Sequence, residues 1–125
     1  MVGRSKFEYN KWFKVFGLIV FVVLVFAFFD YLIHLSNAEY AVPSYYFKNK
    51  VIYGVLWGIV VYLLTFKWKA KLWLRSLFFS FIVALILQVR YAYEGYSLDF
   101  VLEFLFIHLA ILWIVSYLTF RFTKI

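Results

Sequence analysis

The sequence predicts an all-α integral membrane protein in which four transmembrane helices form an up-down antiparallel bundle. Hydrophobic residues make up 67% of the 125 residues, against about 45–50% in a soluble domain. Four apolar stretches each approach the roughly 20 residues that a helix needs to cross a bilayer. Basic residues are concentrated in alternate connections between these stretches. Little of the chain remains to fold in water, so residues 1–125 form a single predicted transmembrane domain.

Each predicted helix follows from its local pattern. The first stretch contains the segment 15–29, which has no polar face, so only lipid or other helices can surround it. The second follows Pro43, which cannot donate a backbone hydrogen bond, and Ser44, which is a suitable N-cap. Gly95 marks a turn between the third and fourth stretches, and the short connections make consecutive helices antiparallel neighbours. The predicted helices span about 13–35, 44–66, 71–93 and 98–121.

The distribution of charge predicts the orientation of the helices. If each stretch crosses once, one side of the membrane receives ten of the thirteen basic residues. The other side receives five of the six acidic residues. The positive-inside rule makes the basic side cytoplasmic and therefore places both termini inside the cell. The ten basic residues are Arg4, Lys6, Lys11, Lys14, Lys67, Lys69, Lys71, Arg75, Arg121 and Lys124, and the five acidic ones are Asp30, Glu39, Glu94, Asp99 and Glu103.

Composition excludes several classes of function. Cysteine is absent, which rules out disulfides, thiolate nucleophiles and thiolate metal sites. The net charge of +7 lies at helix ends rather than on a soluble basic surface, which argues against nucleic acid as a partner. No nucleophile signature such as G-x-S-x-G is present, so the pattern favours a role other than catalysis. No cofactor is strongly implied.

Small residues predict where helices approach one another. Gly54 and Gly58 form a G-x-x-x-G pair in the second helix. In the third helix Ser76, Ser80 and Ala84 repeat every four residues, with Gln88 continuing the stripe. These faces are predicted to pack against other helices of the same chain, or against a second copy or a partner. The stripe in the third helix could alternatively line a polar passage.

Six residues are candidates for binding a ligand or a proton, because ionisable and polar groups are costly in hydrocarbon and usually face a protein interior or water. They fall in the half of the predicted bundle that faces outward, and this asymmetry predicts an outward-facing polar pocket. They are Asp30, His34, Gln88, Arg90, Glu103 and His108.

Each candidate also has a structural interpretation. His108, the deepest, could make an interhelical hydrogen bond, and Asp30 could pair with Lys50 or Arg90. Arg90 stands four residues before Glu94, the spacing of a local ion pair. Glu103 lies in the first turns of its helix, where the helix dipole favours negative charge.

Metal binding is a weaker possibility, with Asp30, His34 and His108 as candidate ligands. Asp30 and His34 are four residues apart on one helix face. Glu103 and His108 are five residues apart, about 140° around the helix, and therefore cannot both point at one ion unless the helix is distorted. The familiar E-x-x-H and H-E-x-x-H spacings are absent.

The sequence is compatible with three functions. The first is an outward-facing pocket that binds or transports a small polar or cationic ligand, or protons. The second is a structural or accessory subunit of a larger membrane complex, and the third is a metal-assisted intramembrane enzyme acting on lipid. Membrane lipid is the expected environment, and a homo-oligomer is a possible assembly. We expect a multi-pass protein of a prokaryotic plasma membrane, because no segment resembles an organelle-targeting signal.

Overall fold

The structure, a computed structural model, describes the backbone of residues 2–123 and the side chains of residues 10–123. The described residues form four long helices: α1 is Val2–Ser36, α2 is Tyr45–Thr65, α3 is Leu72–Tyr93 and α4 is Leu98–Thr123. A short 3-10 helix, Ala38–Tyr40, connects α1 to α2. Each long helix is apolar and long enough to cross a membrane, with α1 contributing Asn10–Ser36. The prediction of an all-helical chain with four membrane-length helices is confirmed.

The helix α1 begins well before the first apolar stretch of the sequence. Its backbone is helical from Val2 through the basic N-terminal segment. The side chains of Arg4 and Lys6 lie outside the described residues, as does Lys124 at the other terminus. The topology predicted from these charges therefore rests on sequence alone.

The turn between α3 and α4 shows why glycine stands at position 95. Gly95 adopts φ +88°, a left-handed conformation that costs a residue with a Cβ atom more than it costs glycine. The Gly95 amide donates to the Ala92 carbonyl and the Tyr96 amide to the Tyr91 carbonyl, which is the Schellman pattern. Ser97 Oγ then accepts from the Phe100 amide at 3.2 Å and caps α4. The chain thus reverses direction within a few residues.

The four long helices pack in a closed ring. α1 contacts α2 and α4, and α3 contacts the same two helices. At one end of the ring, Tyr40 donates a hydrogen bond of 2.6 Å to Glu103. At the other, the rings of Trp12 and Phe66 lie 5.3 Å apart. We call the first end, with the α1–α2 connection and the α3–α4 turn, the acidic end, and the opposite end the basic end.

Apolar side chains fill the ring and also cover its outside. Phe26, Val83 and Leu112 are buried in the central cluster, whereas Leu64 and Phe106 are 80% and 68% exposed. An apolar exterior on this scale would cause association in water but is the surface that lipid requires. The outward-facing side chains therefore agree with the membrane-length helices.

The small residues that the sequence singled out lie at helix contacts within this chain. A Cβ atom on Gly54 would stand 3.0 Å from Val23 Cγ1 of α1. One on Gly58 would stand 3.1 Å from Ile19 Cγ2 and 3.3 Å from Phe79 Cζ. The glycine face of α2 is thus pressed against α1, with α3 closing over Gly58.

The stripe on α3 faces α4 and also borders a small cavity. Ser80 Oγ and Ser116 Oγ are 3.1 Å apart, and Ala84 is fully buried. Ser76 Oγ and Arg75 Nε are buried without a hydrogen-bond partner among the described residues. Both residues line a cavity of about 30 Å³, which is large enough to hold a water molecule.

We expect Gly58→Ala to lower the free energy of unfolding by about 1–3 kcal/mol, the usual cost of overpacking a close contact. The added methyl meets side chains of two different helices, so neither can move without disturbing the other. Thermal unfolding of the purified protein in detergent measures the effect. Gly17→Ala is the matched control, because a Cβ atom at Gly17 meets nothing within 4 Å. Equal stability of the two variants would contradict the close contact.

Candidate functional site

Six polar side chains from all four long helices meet inside the acidic end. Asp30 and His34 come from α1, Lys50 from α2, and His108 from α4. α3 adds Gln88 and Tyr91. No member of the set is more than 4% exposed. We call this set the buried cluster: Asp30, His34, Lys50, Gln88, Tyr91 and His108.

The Asp30 carboxylate is the centre of the buried cluster. Its Oδ2 atom accepts a hydrogen bond from Lys50 Nζ, and its Oδ1 atom lies 2.9 Å from His108 Nε2. His34 Nε2 stands 3.4 Å from Oδ2. One carboxylate therefore joins α1 to both α2 and α4, and no second acid is needed to neutralise the lysine.

The tautomer of His34 follows from its partners. Its Nδ1 atom lies 2.5 Å from the Tyr40 carbonyl oxygen, which can only accept, so Nδ1 carries the proton. In the neutral ring Nε2 is then an acceptor. Lys50 Nζ and Tyr91 Oη both approach it at 3.0 Å. The free lone pair of His34 thus points to the middle of the buried cluster.

The partners of His108 assign the opposite tautomer. Because Asp30 can only accept, His108 Nε2 donates to it, and Nδ1 accepts from Gln88 Nε2 at 2.5 Å. Gln88 Oε1 is buried without a partner in the described part of the chain. Turning the amide would present Oε1 to Nδ1 instead, and Oε1 could then accept a hydrogen bond from a proton added at Nδ1.

Aromatic rings surround the buried cluster and exclude water from it. The His34 ring stacks on Phe104 with centroids 4.3 Å apart. Phe26 meets the His108 ring edge to face at 5.1 Å. Lys50 Nζ stands 4.9 Å from the centroid of the Tyr91 ring, within the range of a cation–π contact. In such surroundings an unpaired charge would be costly, and the pairing of Asp30 with Lys50 leaves the cluster neutral when both imidazoles are neutral.

Lys50 also faces a groove between α2 and α3. The groove has a volume of about 450 Å³. Tyr53, Trp57 and Ile86 form apolar walls, and Val89, which is 65% exposed, borders the opening. Lys50 and Tyr91 are the cluster members that line this groove. Aromatic rings therefore enclose the buried cluster on its other sides, and Lys50 lies between the cluster and the groove.

Of the six sequence candidates, the structure brings together Asp30, His34, Gln88 and His108, and leaves Arg90 and Glu103 outside. Arg90 pairs with Glu94 at 3.0 Å and its side chain is 46% exposed. Glu103 is exposed and accepts from Tyr40. That hydrogen bond raises the pKa of the Tyr40 hydroxyl, because the ionised form would face the Glu103 carboxylate. These two outer groups make local pairs near the acidic end rather than joining the buried cluster.

Sequence reasoning did not include Lys50 and Tyr91 among the site residues. Lysine near a helix end commonly extends to the headgroups, and tyrosine commonly belongs to the interfacial belt. A signal for Lys50 was nevertheless present. It stands four residues before Gly54 and eight before Gly58, which places all three on one face of α2. The face that packs inward thus carries the lysine.

The three candidate metal ligands do lie together. One ligand atom each from Asp30, His34 and His108 can be chosen so that all three lie within 4.8 Å of one another. Lys50 Nζ contacts the same groups, bonding Asp30 and lying 3.0 Å from His34 Nε2 and 3.5 Å from His108 Nε2. As arranged, the three groups surround an ammonium ion. A metal at this point requires the lysine to leave.

No protein-family model matches this chain, and neither a curated protein nor a solved structure matches it. The buried cluster and the groove beside it contain a neutral ion pair, two imidazoles of opposite tautomer and a lysine that borders an apolar space.

We expect Lys50→Met to lower the free energy of unfolding by about 3–5 kcal/mol, because it leaves the Asp30 carboxylate buried and unpaired. The double variant Asp30→Asn/Lys50→Met should recover most of this loss, since it removes both charges. Lys48→Met serves as the matched control, because Lys48 is exposed. Thermal unfolding of all three proteins in detergent is the measurement. A Lys50→Met protein as stable as the control would show that the pair contributes nothing.

Proposed function

We propose that this chain is a multi-pass membrane protein whose buried cluster binds protons that arrive from the outer face of the membrane. The observation that carries the proposal is the position of Lys50 Nζ, which bonds Asp30 and lies 3.0 Å from the free lone pair of His34. His34 as the base, Lys50 as the acid and the Asp30 carboxylate thus lie within hydrogen-bonding reach of one another. Imidazole is the side chain that changes charge near neutral pH.

The proposal includes the orientation of the helices. The four helices form an up-down antiparallel bundle with both termini in the cytoplasm, so that the acidic end faces outward. Its support is the positive-inside rule, together with contacts that join the α1–α2 connection to α4 and the start of α1 to the end of α2. The buried cluster then lies in the outer half, in the membrane of a prokaryotic cell.

A proton suits the buried cluster better than a larger cation does. Asp30 is already neutralised by Lys50, and aromatic rings fill the surrounding space, so another cation would have to displace the ammonium group. A proton needs no additional room. It can bind at His34 Nε2, the ring nitrogen that accepts from both Lys50 and Tyr91.

Binding a proton at His34 would rearrange the pair beside it. The imidazolium Nε2–H would face Asp30 Oδ2, now 3.4 Å away, while the acceptor that Lys50 uses would be lost. Two cations would then compete for one carboxylate, and Lys50 has the groove as the space into which it can move. The proposed consequence of proton binding is therefore a displacement of Lys50 toward the groove.

Proton transport across the membrane would need more than one bundle. Below the buried cluster, Phe26, Val83 and Leu112 belong to a buried apolar cluster. An alternating mechanism requires two elements that move against each other, which a second copy of the chain would supply. The accessory-subunit alternative has less support, because Gly54 and Gly58 contact helices of the same chain.

Proton binding can be measured at the two histidines directly, because the chain contains only these two and 15N-imidazole labelling resolves both rings. At neutral pH we expect His34 to be protonated at Nδ1 and His108 at Nε2. As the pH falls, at least one ring should become doubly protonated. Asp30→Asn should weaken this uptake, because it removes the carboxylate that stabilises the imidazolium.

Glu103→Gln is the matched control, because it removes a carboxylate that lies outside the buried cluster. It should leave both histidine titrations unchanged. If both rings remain neutral until the protein unfolds, or if the two variants behave alike, the proposed function is wrong.

The orientation can be tested by cysteine labelling, since the chain has no cysteine of its own. Ala38 and Lys69 are exposed at opposite ends of the ring. We expect a membrane-impermeant maleimide to label Ala38→Cys in intact cells and Lys69→Cys only after permeabilisation. The reverse pattern would contradict the proposed topology.

A further inference from the structure

The groove beside Lys50 has the properties of a small-molecule site. Its volume of about 450 Å³ falls within the roughly 300–1,000 Å³ of typical ligand pockets. Tyr53, Trp57 and Ile86 supply apolar walls. Because Trp57 and Val89 are partly exposed on the apolar exterior, a molecule dissolved in lipid can reach the groove without passing through water.

Charge in the groove argues for a neutral occupant. Two cationic residues line it, Lys50 and Arg90. Each already has a carboxylate partner, Asp30 for the lysine and Glu94 for the arginine. An anionic headgroup would have to displace one of these carboxylates, whereas an apolar molecule disturbs neither.

The lining also includes Asn49 and tyrosine side chains, and among the described residues its one primary amine is that of Lys50. Lysine in an apolar pocket is a recognised nucleophile toward carbonyl compounds, with which it forms a Schiff base. We propose that the groove binds an apolar, lipid-soluble aldehyde and that Lys50 joins it covalently as an iminium ion, with Asp30 as the counter-ion. This inference goes beyond the proposed proton binding and rests on it in one respect, because the same His34 nitrogen serves as a transient base.

The reaction balances without any further reagent. The free lone pair of His34 Nε2, 3.0 Å from Lys50 Nζ, accepts one proton from the ammonium group. The amine then adds to the aldehyde carbon, and a C–N bond forms as the C=O double bond becomes a hydroxyl group. His34 returns its proton, the C–O bond breaks, and water leaves. In total, the aldehyde and R–NH3+ give R–NH+=CH–R′ and H2O.

Asp30 explains why the product would persist. The iminium ion carries the same charge as the ammonium ion it replaces, so the buried ion pair stays neutral. The aromatic rings that exclude water from the buried cluster also slow hydrolysis of the imine. An exposed lysine such as Lys48 has neither advantage, and its imines would revert in water.

Retinal is a suitable probe, because its protonated imine absorbs to the red of the free aldehyde. We expect the purified protein in detergent to develop this absorption. After borohydride reduction, peptide mass analysis should locate one adduct on Lys50. Retinol has the same chain but no carbonyl group, and it should give neither signal.

Variants separate the roles of the residues. Lys50→Met should reduce the adduct roughly tenfold or more, because it removes the nucleophile, while Lys48→Met should not change it. His34→Asn should slow formation of the adduct but leave its final amount similar, as expected if His34 only moves protons.

Locating the adduct in the wild-type protein tests the proposed site at Lys50 even if Lys50→Met fails to fold. An adduct spread over exposed lysines, or one that forms equally in Lys50→Met, would overturn the inference. Either outcome leaves the histidine titration unaffected, so failure here is distinct from failure of the proposed proton site.

Discussion

The ion pair between Asp30 and Lys50 is the interaction on which the rest of this structure depends. In lipid there is no hydrophobic force between helices, so polar contacts and close packing decide how they associate. A carboxylate in the middle of the ring must find a partner, and Lys50 brings α2 to it. His108 then brings α4 to the same carboxylate, and Gln88 ties α3 to His108. One charge thus sets the relative position of all four helices at the acidic end.

The deeper part of the ring is held by a different means. Gly54 and Gly58 let α2 approach α1 closely, and Ser80 meets Ser116 across α3 and α4. These contacts depend on shape rather than on charge, and a small cavity lies beside Ser76. Close packing at the basic end would keep the rest of the bundle in place if Lys50 moved, which is a condition for a local switch.

Much of this arrangement could be predicted from the sequence, because the cost of burying charge in lipid is large and local. That cost identified Asp30, His34 and His108 as residues that need partners, and it required no knowledge of the fold. Helix rotation could not be predicted in the same way. Arg90 and Glu103 lie as close to the acidic end as Asp30 does, yet packing turned their helices so that both face outward. The inward direction of Lys50 could not be predicted either, since a lysine one turn inside a helix end can equally reach the headgroups.

Lys50 belongs to both the buried cluster and the groove, and this links what happens in the two places. An ammonium group has three N–H donors, which serve Asp30 and His34 together. An iminium ion has one, which can serve only Asp30, so a covalent ligand in the groove would deprive His34 of its donor. A proton on His34 would in turn occupy the lone pair that accepts from Lys50. Coupling between two binding events is reciprocal, so a ligand that alters proton binding must have its own affinity altered by pH to the same degree. One shared nitrogen is sufficient to produce that coupling, without any movement of the helices.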